Sequence, residues 1–112
     1  MSMKNMKVLT KYVMIEGSTF ALISFDTPET MIDMYGNRTY GLIDYKYIGD
    51  DGRLTKPLMY GEMAVASTPA KSIERMRLLI ISRRWKDEHP DATDHELAKF
   101  LMQLYQIEPR KE

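Results

Sequence analysis

Asp26-Thr27-Pro28-Glu29-Thr30-Met31-Ile32 and Ser67-Thr68-Pro69-Ala70-Lys71-Ser72-Ile73 are the stretches on which the fold of this chain turns. In each, a threonine hydroxyl can accept a hydrogen bond from an otherwise unpaired amide. The following proline loses nothing at the first helical position, where no N–H is required. Each stretch also follows strand-like sequence, so two helix openings divide the chain into two hairpin-then-helix units. The two heptapeptides echo each other loosely. A duplication would explain that, but Thr-Pro is a common way to open a helix after a strand.

Upstream of Thr27, residues 7–15 and 19–25 are rich in Val, Ile, Leu, Tyr and Phe around Glu16-Gly17-Ser18, which predicts two strands and a tight turn. Downstream, Met31, Ile32 and Tyr35 recur at helical spacing before Gly36, a natural stop. Residues 39–48 and 53–66 repeat the hairpin pattern around Gly49-Asp50-Asp51-Gly52. Pro57 cannot donate to a sheet ladder, which predicts an edge position or a bulge in the fourth strand, and Gly41 and Gly61 are candidate irregularities.

From Thr68 the pattern predicts a helix over 69–87, closed by His89-Pro90 because the residue before proline avoids the α region. Leu78-Leu79-Ile80-Ile81 makes its middle apolar most of the way round, which predicts burial there. Thr93 and Glu96 have capping-box spacing and open a last helix, whose stripe Leu97, Leu101 and Leu104, widened by Ala98, Met102 and Tyr105, should dock on the helix before it. The expected fold is α+β: two β-hairpins each followed by a helix, plus a C-terminal helix (ββα-ββα-α). The four-stranded, mainly antiparallel sheet would carry its helices on one face, with Ile80 and Leu101 in the interior. Residues 1–112 should form a single domain, with 1–6 and 107–112 as frayed tails.

A chain of 112 residues closes one core, and 44% hydrophobic with 29% charged residues excludes disorder and fibrous scaffolds. No cysteine is present, which removes disulfides, thiolate nucleophiles and cysteine-ligated zinc. No apolar run approaches the ~20 residues that span a bilayer, and Lys11 interrupts any leader-like segment, so the expectation is a cytoplasmic protein without a membrane partner. Sixteen basic and sixteen acidic side chains cancel, so electrostatic binding must be local.

His89-Pro90-Asp91-Ala92-Thr93-Asp94-His95-Glu96 gathers both histidines with three carboxylates. The histidines straddle a helix break rather than sharing a face at i, i+3 or i, i+4, so the segment reads as turn, cap and dipole chemistry, and no metal or cofactor is assigned. Ser18, Ser24, Ser67, Ser72 and Ser82 lack a G-x-S-x-G context. No glycine-rich loop would hold phosphate, and Asp44 with Glu62 is the only carboxylate pairing the strands suggest. No catalytic residue is assigned.

Two surface candidates remain. Lys71 to Lys86 carries six positive residues against Glu74, and Asp87 to Glu96 then carries five negative and no positive ones. Arg77, Arg83, Arg84 and Lys86 are candidate contacts there, either for phosphate or for an acidic partner, or else paired with the acidic start of the last helix. In the second hairpin, Tyr45 and Tyr47 should share a strand face with Ile43. Lys46, Arg53, Lys56, Tyr40 and Tyr60 lie nearby, a mixture suited to interface anchoring or base stacking. Ten methionines, among them Met31, Met34, Met59, Met63, Met76 and Met102, either fill the core or line an adaptable groove.

Over about residues 39–82, the order hairpin then helix resembles in topology the small sheets by which some phage integrases and plant transcription factors enter the DNA major groove. It departs from them in charge, since Asp44, Asp50, Asp51 and Glu62 outnumber Lys46, Arg53 and Lys56. The expected function is therefore that of a small non-enzymatic interaction protein with a protein partner, of the regulator or inhibitor type that phages and mobile elements encode. The alternative is a nucleic-acid-binding accessory module using the basic helix 71–86 and the hairpin 39–66.

Overall fold

A computed structural model describes residues 3–58 and 62–104, which group into two compact units divided between Arg77 and Leu78. Met59, Tyr60, Gly61, Tyr105 and the tail 107–112, on which some of the expectations fall, lie outside the described residues.

In the first unit, β1 (Lys7–Ile15) and β2 (Ser18–Asp26) form the expected hairpin. Glu16 and Gly17 both have positive φ, at 49° and 83°, the backbone of a two-residue turn whose twist matches that of the flanking strands. β2 pairs with β3 (Arg38–Asp44) in unbroken register from Phe20↔Asp44 to Asp26↔Arg38, and β3 pairs with β4 (Ala64–Ala66). All pairings are antiparallel and the strand order is β1-β2-β3-β4. The four-stranded α+β architecture is the one expected.

Side-chain alternation sends Ala21, Ile23 and Phe25 to one face of β2 and Phe20, Leu22 and Ser24 to the other, and all six are buried. The first face forms the main core with Ile43, Ile48, Leu58, Met63 and Val65. Met3, Met6, Val8, Tyr35, Tyr47 and Leu54 pack around it. Loop residues therefore close this core. Ile80 and Leu101 are only half-buried and belong to the second unit, so neither is the interior anchor expected of it.

The fourth strand is far shorter than 53–66. After β3 the Asp44 carboxylate accepts a hydrogen bond from the Lys46 amide at 3.1 Å, drawing Tyr45–Tyr47 into a 3-10 turn in place of a strand. One bridge, Ile48↔Leu54, flanks the expected Gly49–Gly52 turn, which is closed by the Gly49 amide on the Arg53 carbonyl at 2.7 Å. Pro57, without an N–H, lies in the loop beyond. Gly41 marks no irregularity: it is a regular β3 residue between Ile23 and Val65.

The first helix is also shorter than Thr27-Pro28 suggests. A 3-10 turn (Glu29–Met31) runs into α1 (Ile32–Tyr35), and Gly36 ends it at φ 76°. No side chain caps this turn, because the Thr27 hydroxyl is bonded to that of Thr39. Of the stretch 1–6, expected as frayed, residues 3–6 are anchored. The Asp26 amide donates to the Lys4 carbonyl, Asn5 donates to the Asp26 carboxylate, and Arg38 bridges Asp26 at 2.7 Å, the Asn5 carbonyl and Ser24.

α2 (Pro69–Glu88) opens as its sequence dictates, with Thr68 Oγ1 accepting from the Lys71 amide at 3.2 Å. Its first turns are pinned to β4: Ser72, the one buried residue of the helix, donates to the Ala64 carbonyl, and Arg75 to that of Val65 at 2.8 Å. Beyond Arg77 the apolar middle is not buried; Leu79 is exposed, and Leu78, Ile80 and Ile81 are half-buried.

In the second unit, α2 ends with the His89 amide on the Trp85 carbonyl. α3 (Asp94–Leu104) starts with the expected capping box: Glu96 N–H to Thr93 Oγ1 and Thr93 N–H to Glu96 Oε1, both 3.2 Å. It folds back so that Phe100 stacks on Trp85 with ring centroids 5.3 Å apart. Its half-buried face is Leu97, Phe100 and Leu101, and Leu104 is exposed where the stripe reading placed it inward. Among the described residues no helix is long and apolar enough to cross a membrane.

Candidate interaction surface

β1 is an edge strand with two register shifts, between Val8 and Thr10 and between Thr10 and Val13. Each extra residue breaks the ladder, and bulges of this kind, with Lys7 and Lys11 on the strand, discourage pairing of a further strand to the edge. Apolar side chains of this strand are nonetheless exposed. Tyr12 is 62% exposed and Met14 66%. Met14 is held by Thr19, whose hydroxyl donates to the sulfur at 2.9 Å.

Tyr12 meets Tyr45, with ring centroids 5.5 Å apart and planes tilted by 48°. Tyr45 is itself 41% exposed. The 3-10 turn that displaces the expected strand is what brings it there, since it carries Tyr45 out and lays Tyr47 against the core. Lys11 sits over the Tyr12 ring at 5.8 Å, and Lys46 and Lys56 approach the Tyr47 ring at 5.3 and 4.6 Å. Tyr12 and Tyr45 thus form an exposed aromatic pair with Lys11 over one ring, while Lys46 and Lys56 flank Tyr47.

These lysines have acidic neighbours. Lys56 donates to Glu62 at 3.2 Å, and that hydrogen bond, followed by the attraction of Glu62 and Tyr47 and opposed by partial loss of hydration, holds its ammonium above the ordinary lysine range. Lys46 lies 3.7 Å from Asp44. Asp44 and Glu62, the one carboxylate pair suggested by sequence, are each engaged with their own lysine. Arg53 is exposed beside the Gly49–Gly52 turn.

The nine candidate contact residues do not converge in one unit. Tyr45, Lys46, Tyr47, Arg53 and Lys56 belong to the first unit, with Arg77 at its end on α2. Arg83, Arg84 and Lys86 belong to the second, where Arg83 and Arg84 are exposed and Lys86 donates to the Ala92 carbonyl at 2.7 Å. Tyr12 and Met14 were not among the sequence candidates. The available signal was that apolar residues occupy both phases of strand one, which a regular half-buried strand would not do.

The His89 to Glu96 segment surrounds an open hollow of about 270 Å³, lined by His89, Pro90, Asp91, Ala92 and Glu96. His89 stacks on Trp85 at 4.4 Å, with Nδ1 2.9 Å from the Trp85 carbonyl. The Thr93 amide, then its hydroxyl, holds the Glu96 carboxyl below its usual range. Among the described residues no three His, Asp or Glu side chains are grouped to hold a metal ion.

Compared with protein-family models, curated proteins and solved structures, the chain matches none.

Proposed function

We propose that this chain is a non-enzymatic interaction protein whose first unit binds a protein partner through the Tyr12, Met14 and Tyr45 patch. The observation that carries this reading is the Tyr12–Tyr45 ring contact, which gathers exposed apolar side chains into one patch. Tyrosine and methionine are enriched in protein interfaces, where a rigid ring buries area at small entropic cost. The partner's complementary feature is an apolar segment that would bury the exposed rings. A regulator or inhibitor acts in this way, by occupying a surface.

The nucleic-acid alternative has less support. Lys46 and Lys56 face their own carboxylates, Lys86 a backbone carbonyl, and the formal net charge is zero. The test is affinity capture from an extract of the source cells with wild type and with Tyr12→Ser/Tyr45→Ser, each with and without nuclease. A protein retained by wild type, resistant to nuclease and lost with the double variant supports the reading. Release by nuclease, or equal capture by both forms, overturns it.

A further inference from the structure

The Tyr12–Tyr45 contact has a chemistry of its own, apart from any partner. The ring centroids are 5.5 Å apart and the two side chains are 62 and 41% exposed, so a small oxidant reaches both. Neither ring belongs to the main core. Tyr12 lies on the edge strand β1 and Tyr45 opens the 3-10 turn after β3, which places the two phenols on separate elements of the first unit. Side-chain torsions of exposed tyrosines, broad about the ring bond, bring an ε carbon of one ring against an ε carbon of the other.

We propose that Tyr12 and Tyr45 are a site of oxidative cross-linking, at which a peroxidase-type one-electron oxidant joins the two phenols into an intramolecular dityrosine. Each phenol gives up one electron and its hydroxyl proton, leaving a phenoxyl radical whose unpaired spin is shared with the ε carbons. Two such radicals couple to form one Cε–Cε bond. The hydrogen on each coupled carbon then leaves as a proton while the phenol oxygen takes one up, which restores both aromatic rings. Two hydrogen atoms are lost in all, and one hydrogen peroxide, reduced by the peroxidase, receives them as two waters. The contact supplies what this coupling most needs, because two radicals held side by side meet without a bimolecular encounter.

The bond ties the edge strand to the turn after β3 and closes the chain between residues 12 and 45. It therefore restricts the unfolded state, as any covalent loop closure does, and stabilises the first unit. It also joins the two rings into one biphenol on the surface proposed above for a partner. That last effect rests on the partner reading, whereas the cross-link rests on the ring contact alone.

The full chain at roughly 10⁻⁶ M, where encounters between molecules are rare compared with those of a held pair, is treated with a haem peroxidase and an equivalent of hydrogen peroxide. The expected product is a monomer lighter by two hydrogen atoms, with dityrosine fluorescence, whose digest contains a peptide pair joined through Tyr12 and Tyr45. Tyr12→Phe and Tyr45→Phe keep a ring but no phenol, and each should lower the yield of this monomeric product at least about tenfold. Tyr40→Phe, at a half-buried position on β3, should leave it unchanged. Circular dichroism confirms that each variant is folded, and the urea midpoint of the purified product should lie above that of the untreated chain. A monomer without dityrosine, a bond mapped to other tyrosines, an undiminished yield in Tyr12→Phe or Tyr45→Phe, or a midpoint that does not rise would each overturn the inference.

Discussion

Thr27 and Thr39 face each other through their hydroxyls, with the Oγ1 atoms 2.7 Å apart in a buried environment. Thr27 follows β2, Thr39 lies on β3, and the Thr27 amide also donates to the Asn37 carbonyl at 3.1 Å. This pair, rather than a helix cap, is the role of the first threonine of the Thr-Pro motif. Thr39→Val leaves a buried hydroxyl without its partner and should cost about 1–3 kcal/mol. Thr27→Val/Thr39→Val should cost less than the sum of the single changes, because neither hydroxyl is then stranded. Urea titrations of all four proteins check this; additive losses would mean that the hydroxyls are not coupled.

The closed core around β2 and β3 makes a second expectation. Ile43→Ala removes a fully buried side chain from the main cluster and should cost about 2–5 kcal/mol. Ile80→Ala, at a half-buried position, should cost clearly less when both are measured in dilute protein. Equal shifts in urea midpoint would mean that the core extends into the second unit.

The fold was legible wherever one local hydrogen bond decides the matter. Thr68 and the Thr93 and Glu96 pair cap their helices as spacing alone implies, and Glu16-Gly17 makes the first turn. Thr27 was misread because a tertiary partner, Thr39, competes for the same hydroxyl, and no window of seven residues contains it. The 53–66 strand was misread because hydrophobic residues in it serve a loop: Leu58 and Met63 are buried without pairing in a ladder. The candidate surface was half visible. Tyr45, Tyr47, Lys46 and Lys56 do cluster, but the main exposed members, Tyr12 and Met14, lie on an edge strand with two register shifts, and such shifts leave little trace in composition.

Acid should loosen α3 before the sheet. The Glu96 carboxyl is held below its ordinary value of 4.5 by the Thr93 amide and hydroxyl. A depressed folded value means that the capping contribution is present above the unfolded value and is lost as pH falls through the folded one. The amide signals of α3 should therefore move toward disordered positions on acidification, ahead of those of β2 and β3. In Glu96→Gln, whose side-chain amide keeps an acceptor but does not titrate, that early step should disappear. An unchanged profile in Glu96→Gln would assign the acid sensitivity elsewhere.

Duplex DNA should bind no tighter than ~10 μM at physiological salt, within the ordinary non-specific range. The acidic segment Asp87 to Glu96 directly follows the basic one and damps its field within a Debye length of roughly 8–10 Å. Fluorescence anisotropy decides the point. Submicromolar affinity that falls steeply with salt, and falls again in folded Arg83→Glu/Arg84→Glu, would promote the nucleic-acid reading over the protein-partner one.

The claim that the Tyr12 and Tyr45 patch is the working surface is tested most directly by site-specific photo-crosslinking in the source cells. A benzophenone amino acid is placed in turn at Tyr12, at Tyr45 and at Met34, an equally exposed control residue on α1. The expected result is one shared protein adduct from Tyr12 and Tyr45 and none from Met34. Adducts that are equal at all three positions, absent at Tyr12 and Tyr45, or composed of nucleic acid would contradict it.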